Sequence, residues 1–121
     1  MSKVVVVDDV YAELQLIEGY LKSANHTVVS YLSADNLEEK LANDRPDLII
    51  LDVIMPGRNG FQVCRDLKSD ERFKNIPVML CTLKGQESDR FWGQQQGANA
   101  YVVKPFKSDE LVAAVKRALV H

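Results

Sequence analysis

Short runs of consecutive apolar residues alternate along the chain with segments whose apolar residues recur at helical spacing. The first run, Val4–Val7, is β-branched throughout and stops at two aspartates, which is typical of a strand buried on both faces. Further β-rich or apolar runs follow at 27–32, 48–51, 76–81 and 100–103. The pattern therefore predicts five strands.

The segments that follow these runs favour helices. Their expected inward-facing positions are Leu14, Ile17 and Leu21; Leu37 and Leu41; Phe61, Cys64 and Leu67; and Leu111, Val115 and Leu119. Ser33 is expected to cap the short second helix, and residues 55–60 have the composition of a loop. A more polar helix is predicted over about residues 86–96, where we expect at least one of Phe91 and Trp92 to pack inward.

Five strands alternating with five helices predict an α/β fold, with a parallel sheet wrapped on both faces by right-handed crossovers. We expect a flavodoxin-like doubly wound sheet with strand order 2-1-3-4-5. The 121 residues, 46% of them apolar, are enough for one core without disulfides. The sequence contains no repeat and no linker, so residues 1–121 are expected to form a single domain with no output domain.

Charge and hydropathy narrow the class of function. Fifteen Lys and Arg residues against 17 Asp and Glu residues give a formal charge of −2. The chain therefore lacks the excess of positive charge that is typical of proteins that bind nucleic acid or anionic membranes. The apolar stretch near the start is too short for a signal peptide, and none approaches 18 residues. The sequence therefore predicts a cytoplasmic protein.

Polar residues occur where four of the predicted strands end, and ligands bind beyond the carboxyl ends of strands in open parallel sheets. These residues are Asp8, Asp9, Asp52, Thr82 and Lys104. Strands 1, 3, 4 and 5 are neighbours in the predicted order, so three carboxylates, one hydroxyl and one ammonium share one rim. Each residue alone is also explained as a helix cap, a turn or a surface charge, but their joint occurrence favours a site.

Crowded carboxylates repel each other unless a cation lies among them, so the cluster implies a divalent ion. Oxygen ligands suit Mg²⁺ first and Mn²⁺ second. With that charge neutralised, Asp52 on the central strand would be the nucleophile toward phosphorus. Thr82 and Lys104 would stabilise the oxygens of the transferred group.

The chain resembles, over its whole length, the receiver domains of two-component response regulators. The resemblance is carried by Asp8-Asp9, Asp52-Val53-Ile54-Met55-Pro56 with Gly60, Thr82, and Lys104-Pro105-Phe106. It implies a stand-alone, chemotaxis-regulator-like signalling protein rather than an enzyme, phosphorylated on Asp52 by a histidine kinase. It also implies that Asp8, Asp9, Asp52 and the Ile54 carbonyl surround Mg²⁺, while Thr82 and Lys104 contact the phosphoryl group.

The same resemblance implies a switch formed by Thr82 and Tyr101, and a cis bond between Lys104 and Pro105. A downstream protein would bind through the fourth helix, fifth strand and fifth helix, or the chain would act as a phosphate sink. We expect a monomer or weak dimer. Residues 89–93 and 96–98 are similar to the regulators of pilus-linked motility systems.

Other classes fit less well. A haloacid-dehalogenase-type phosphatase needs a carboxylate two residues after its nucleophile, where this chain has Ile54. An FMN carrier needs hydroxyls and glycines where Asp8-Asp9 would repel phosphate, and the glycine-lysine signature of a P-loop is missing. A receiver-like module that binds partners without being phosphorylated remains the alternative.

Two residues near the expected site predict its phosphoryl lifetime. Leu83 stands where the family most often has a small residue, and Ile54 stands where some chemotaxis regulators carry a polar residue. Neither apolar side chain would orient an attacking water, so we expect slow self-dephosphorylation.

Overall fold

Five parallel strands form one sheet in the order β2-β1-β3-β4-β5. The strands are β1 (Lys3–Val7), β2 (Thr27–Tyr31), β3 (Leu48–Leu51), β4 (Val78–Thr82) and β5 (Ala100–Val103). The helices are α1 (Tyr11–Ser23), α2 (Leu37–Asp44), α3 (Gly60–Lys68), α4 (Glu87–Gln95) and α5 (Ser108–Leu119). This computed structural model describes residues 2–120, and it confirms the predicted fold class and strand order.

The sheet separates two apolar cores, because consecutive side chains of a strand point to opposite faces. In β3, Ile49 and Leu51 pack with residues of α2 and α3, whereas Leu48 and Ile50 pack with residues of α1 and α5. All four residues are at most 1% exposed. The central strands are therefore continuous apolar runs that end where the first polar residue reaches the rim.

The start of α2 differs from the prediction. Ser33 does not cap this helix, which begins at Leu37 after Asn36 in the left-handed conformation, with φ of 54°. The Ser33 hydroxyl accepts a hydrogen bond from the Asp35 amide at 3.3 Å instead. Serine side chains often form such local bonds to the backbone two residues on, and these bonds favour turns.

The start of α3 lies directly against the end of β3. Asn59 and Gln62 form a reciprocal capping box. Gly60 is required because a Cβ atom at this position would lie 2.2 Å from the carbonyl oxygen of Asp52. The predicted loop after β3 thus runs between the end of β3 and the capped start of α3, which are packed against each other.

The orientation of α4 also differs from the prediction. Gly93 is the buried residue of this helix, and a Cβ atom there would lie 2.9 Å from Leu80 and 3.1 Å from the Tyr101 ring. Phe91 and Trp92 are 59% and 51% exposed. The expectation that at least one of them packs inward is wrong, because the helix approaches the sheet too closely for a large inward side chain.

Two further features concern the described residues as a whole. Cys64 and Cys81 are free and buried, and burial raises the pKa of the Cys64 thiol to about 11 and that of Cys81 to about 12. Within residues 2–120, no helix is long and apolar enough to cross a membrane.

Candidate functional site

Four polar side chains are buried together at the carboxyl edge of the sheet. Asp8 follows β1, Asp52 follows β3, Thr82 ends β4 and Lys104 follows β5, and none is more than 6% exposed. The strands that carry them are adjacent, so the sheet itself brings these groups to one place. The peptide bond between Lys104 and Pro105 is cis.

The ammonium of Lys104 lies between three carboxylates. Its Nζ is 2.6 Å from Asp8 Oδ2, 2.9 Å from Asp52 Oδ2 and 3.2 Å from Glu13 Oε2. Burial alone would lower the pKa of Lys104, but its hydrogen bonds to Asp8 and Asp52 raise it above the usual value. Lys104 therefore stays charged and holds the carboxylates of two strands together.

Negative charge exceeds positive charge in this cluster. Burial raises the pKa of Asp8 above its usual value, although hydrogen bonds from Lys104 and the Val10 amide act in the opposite direction. One ammonium faces three carboxylates, so the cluster favours a further cation.

The donor atoms fit a hard divalent ion. Asp8, Glu13 and Asp52 each offer a carboxylate oxygen, and these oxygens lie within 4.8 Å of one another. All-oxygen ligands of this kind suit Mg²⁺, which is often bound by one or two carboxylates plus water.

Glu13 is the residue that sequence reasoning missed. It lies in the first turn of α1, where an acidic residue is ordinarily explained by the helix dipole. Only the packing of α1 brings its side chain beside Lys104. Asp9 is exposed and outside this carboxylate group, so its role as a metal ligand, like that of the Ile54 carbonyl, stays a prediction.

The Asp52 carboxylate is held on both oxygens. Oδ1 accepts a hydrogen bond from the Ile54 amide at 3.1 Å, and Oδ2 accepts one from Lys104 at 2.9 Å. The first bond comes from the loop that leads to α3, and the second comes from Lys104, which follows the edge strand β5. The orientation of this carboxylate therefore depends on both.

Thr82 and Tyr101 both contact Lys84. The Thr82 hydroxyl accepts a hydrogen bond from the Lys84 amide at 3.4 Å, and the Tyr101 hydroxyl donates to the Lys84 carbonyl at 2.6 Å. The Arg90 guanidinium lies 5.4 Å from the centre of the Tyr101 ring. The loop between β4 and α4 thus links Thr82, at the site, with Tyr101 of β5.

Comparison with known proteins identifies the family. Residues 4–116 match the response regulator receiver domain. The chain belongs to this family of two-component signalling proteins, which are not classical enzymes, and this confirms the resemblance seen in the sequence.

Individual relatives agree with this assignment. The chain is 35% identical to protein PilH of Pseudomonas aeruginosa over 98% of both chains. It is 38% identical to the phosphate regulon regulatory protein PhoB of Rhizobium meliloti, spanning 98% of this chain and about half (52%) of PhoB.

Solved structures show the same fold. A putative response regulator of Chloroflexus aurantiacus superimposes with a TM-score of 0.94 at 30% identity, covering 99% of this chain and 98% of that one. Chemotaxis protein CheY4 of Vibrio cholerae gives 0.91 at 28% identity, covering 98% and 99%.

Proposed function

We propose that this chain is a stand-alone response regulator that accepts a phosphoryl group from a histidine kinase on Asp52. The observation that carries the proposal is the buried Lys104 ammonium, bound to both Asp8 and Asp52 beside an acidic group able to hold a cation. A single receiver domain over 1–121, a cytoplasmic location and a monomer or weak dimer are parts of this proposal.

The chemistry follows from the contacts of Asp52. A carboxylate oxygen of Asp52 forms the new bond to phosphorus while the bond to the kinase histidine breaks, and that bonding pair returns to the imidazole nitrogen. Lys104 and the Thr82 hydroxyl donate hydrogen bonds to the phosphoryl oxygens. Asp8, Asp9, Asp52 and the Ile54 carbonyl, with Glu13 nearby, would hold Mg²⁺, whose positive charge would neutralise these carboxylates and the transferred group.

The face formed by α4, β5 and α5 is the proposed partner surface. A groove of about 610 Å³ between α4 and β5 is lined by Phe91 and Tyr101 among others, and one of about 500 Å³ continues toward α5. Arg90 and Tyr101 line both grooves. An exposed aromatic beside an arginine is the composition typical of an interface anchor.

The pathway is proposed to be of the chemotaxis or pilus type. The similarity of residues 89–93 and 96–98 to pilus-linked regulators supports it, as do the matches to PilH and to chemotaxis protein CheY4. In such a pathway the phosphorylated chain would either bind a target or drain phosphate from another regulator.

The test is phosphorylation of the purified chain by acetyl phosphate with Mg²⁺, with the modified residue located by mass spectrometry. Asp52→Asn should take no label, whereas Asp109→Asn, which alters an exposed aspartate of α5, should be labelled like the parent. A chelator should abolish labelling. Equal labelling of the Asp52→Asn variant, or no label on the parent, would overturn the proposal and favour an unphosphorylated binding module.

A further inference from the structure

Arg58 ties the loop that follows Asp52 to the surrounding helices. Its guanidinium binds Glu38 of α2 through two bonds, from Nη1 to Oε2 and from Nη2 to Oε1, both 2.9 Å long. Nη1 also lies 2.8 Å from Asp66 Oδ2 on α3, and Nη2 lies 3.3 Å from the Ala34 carbonyl. One side chain thus joins the loop to α2, to α3 and to the segment before α2.

This ion pair is better placed than a typical surface pair. The Arg58 and Glu38 side chains are 32% and 27% exposed, and the contact is bidentate. Parallel N–H···O bonds of this kind add strength and geometric specificity that lysine cannot reproduce. We therefore expect the pair to hold Arg58 in one position.

The loop has few other attachments. Within residues 54–58, Ile54, Pro56 and Gly57 are exposed, and Gly57 has a φ of +76°, which favours glycine. Met55 is buried, with 8% exposure. Met55 and Arg58 are the two side chains that anchor this stretch, and Arg58 is the anchor nearer to α3.

The position of this loop bears directly on the site. The Ile54 amide donates to Asp52 Oδ1 at 3.1 Å, while Lys104 binds Oδ2. A loop displaced from its position would move the Ile54 peptide and turn the Asp52 carboxylate relative to Lys104. Small displacements of this kind weaken catalysis strongly, because reacting groups need close alignment.

We propose that Arg58 is a positioning residue for the phosphorylation site. Through Glu38 and Asp66 it fixes the loop that orients the Asp52 carboxylate and the Ile54 backbone, and thereby sets the Mg²⁺ affinity of the site. This inference rests on the proposed function of Asp52, and it makes α2 a structural support of the reaction although no residue of α2 touches Asp52 among the described contacts.

The experiment is an NMR titration of the ¹⁵N-labelled chain with Mg²⁺, well below the melting temperature, that follows the Ile54 amide. Arg58→Ala and Glu38→Gln should raise the dissociation constant for Mg²⁺ by about tenfold, as expected for partners that orient metal ligands. Arg58→Lys should lie in between, because it keeps the charge without the bidentate geometry. The Mg²⁺ concentration for half-maximal labelling by acetyl phosphate should rise more than the maximal rate falls.

Matched controls separate positioning from general stability. Glu39→Gln alters the exposed neighbour of Glu38, and Lys74→Ala breaks the separate pair with Glu71; both should bind Mg²⁺ like the parent. A double variant of Arg58→Ala and Glu38→Gln should be no weaker than Arg58→Ala alone, because both changes remove one link.

Two results would overturn the inference, and they have different meanings. In the first result, the variants melt at a lower temperature, but their dissociation constants for Mg²⁺ stay within about twofold of the parent's and the Ile54 amide resonance is unchanged. A twofold change is well short of the losses typical of ligand-orienting partners, so Arg58 would then have a purely structural role. A parent chain that binds no Mg²⁺ and takes no label would overturn the proposed function and this inference with it.

Discussion

The hydroxyl of Tyr101 donates a hydrogen bond to the carbonyl oxygen of Lys84, and the oxygen atoms are 2.6 Å apart. The backbone amide of Lys84 donates a hydrogen bond to the Thr82 hydroxyl at 3.4 Å. Lys84 is thus bonded on both sides to the two residues predicted to form the switch. A change in the position of Thr82 alters a loop residue that Tyr101 also contacts.

This relationship predicts how a phosphoryl group on Asp52 reaches the partner surface. The phosphoryl group adds a charge of about −1.5 to −2 beside Thr82. The Thr82 hydroxyl should therefore turn toward the phosphoryl oxygens and release the Lys84 amide. Beryllofluoride, which mimics the phosphoryl group, should therefore shift the amide resonances of Lys84, Tyr101 and α4. The measurement is a ¹⁵N correlation spectrum with and without the mimic.

Substitution of Tyr101 tests the same link. Tyr101→Phe keeps the ring and removes the hydroxyl, so it should change the Lys84 resonance before beryllofluoride is added and reduce the later shift. Tyr20→Phe is the control, because Tyr20 packs against Phe106 on α1's side of the sheet. Shifts confined to residues around Asp52 would contradict the predicted switch.

Removal of Lys104 should destabilise the chain. Lys104→Met keeps much of the side-chain volume but leaves Asp8 and Asp52 buried without their ammonium partner, which costs about 3 kcal/mol or more in buried pairs. Mg²⁺ should restore part of the free energy of unfolding, because it replaces the missing positive charge. Urea unfolding with and without Mg²⁺ measures both effects, and Lys116→Met on the exposed face of α5 is the control. Equal stability of Lys104→Met and the parent in chelator would be inconsistent with this account.

The sequence predicted the sheet and most of the site for a physical reason. The central strands are buried on both faces, so every residue of β3 is apolar and the run ends at the carboxyl edge of the sheet, where the buried polar site lies. Asp52 is the first residue beyond that point, and Asp8 holds the same position after β1. Strand order then determines which of these polar ends are neighbours.

What the sequence did not predict depends on how helices pack. Glu13 joins the carboxylate cluster only because α1 holds its first turn beside Lys104. Phe91 and Trp92 are exposed because Gly93, the smallest residue of α4, is the one that meets the sheet. A helix that presents a glycine inward has no apolar stripe, so periodicity gave no signal.

The Glu38–Arg58 pair predicts a pH-dependent part of the stability. The hydrogen bond from Arg58 lowers the pKa of Glu38 below its ordinary value of 4.5. A lowered carboxyl pKa stabilises the folded state fully at pH values above the ordinary pKa. This stabilisation is lost as the pH falls through the lower pKa of the folded state. Glu38→Gln should therefore cost about 1 kcal/mol at pH 7 and much less near the acid limit of folding. Urea titrations across this range measure the difference, with Glu39→Gln as the control; a cost that is constant with pH would contradict the assignment.

The last prediction concerns the lifetime of the phosphoryl group. Leu83 and Ile54 are 63% and 55% exposed, and they follow β4 and β3 at the edge where Thr82 and Asp52 lie. Their apolar side chains add bulk near this edge without a polar group to align a water opposite the Asp52 oxygen, so hydrolysis should be slow. Lys84 is the alternative source of an ordered water, but its ammonium lies toward α4, 3.8 Å from Asp89.

Loss of labelled phosphate in one Mg²⁺ buffer tests this account. Leu83→Ala opens the edge and Ile54→Asn adds an amide that orients water, so each should speed hydrolysis by about three- to tenfold, a modest gain beside the effects of full alignment. Lys84→Ala should change the rate little if its ammonium stays with Asp89. Hydrolysis no faster in Leu83→Ala and Ile54→Asn than in the parent would refute the steric account, and a marked slowing in Lys84→Ala would assign the water to that lysine.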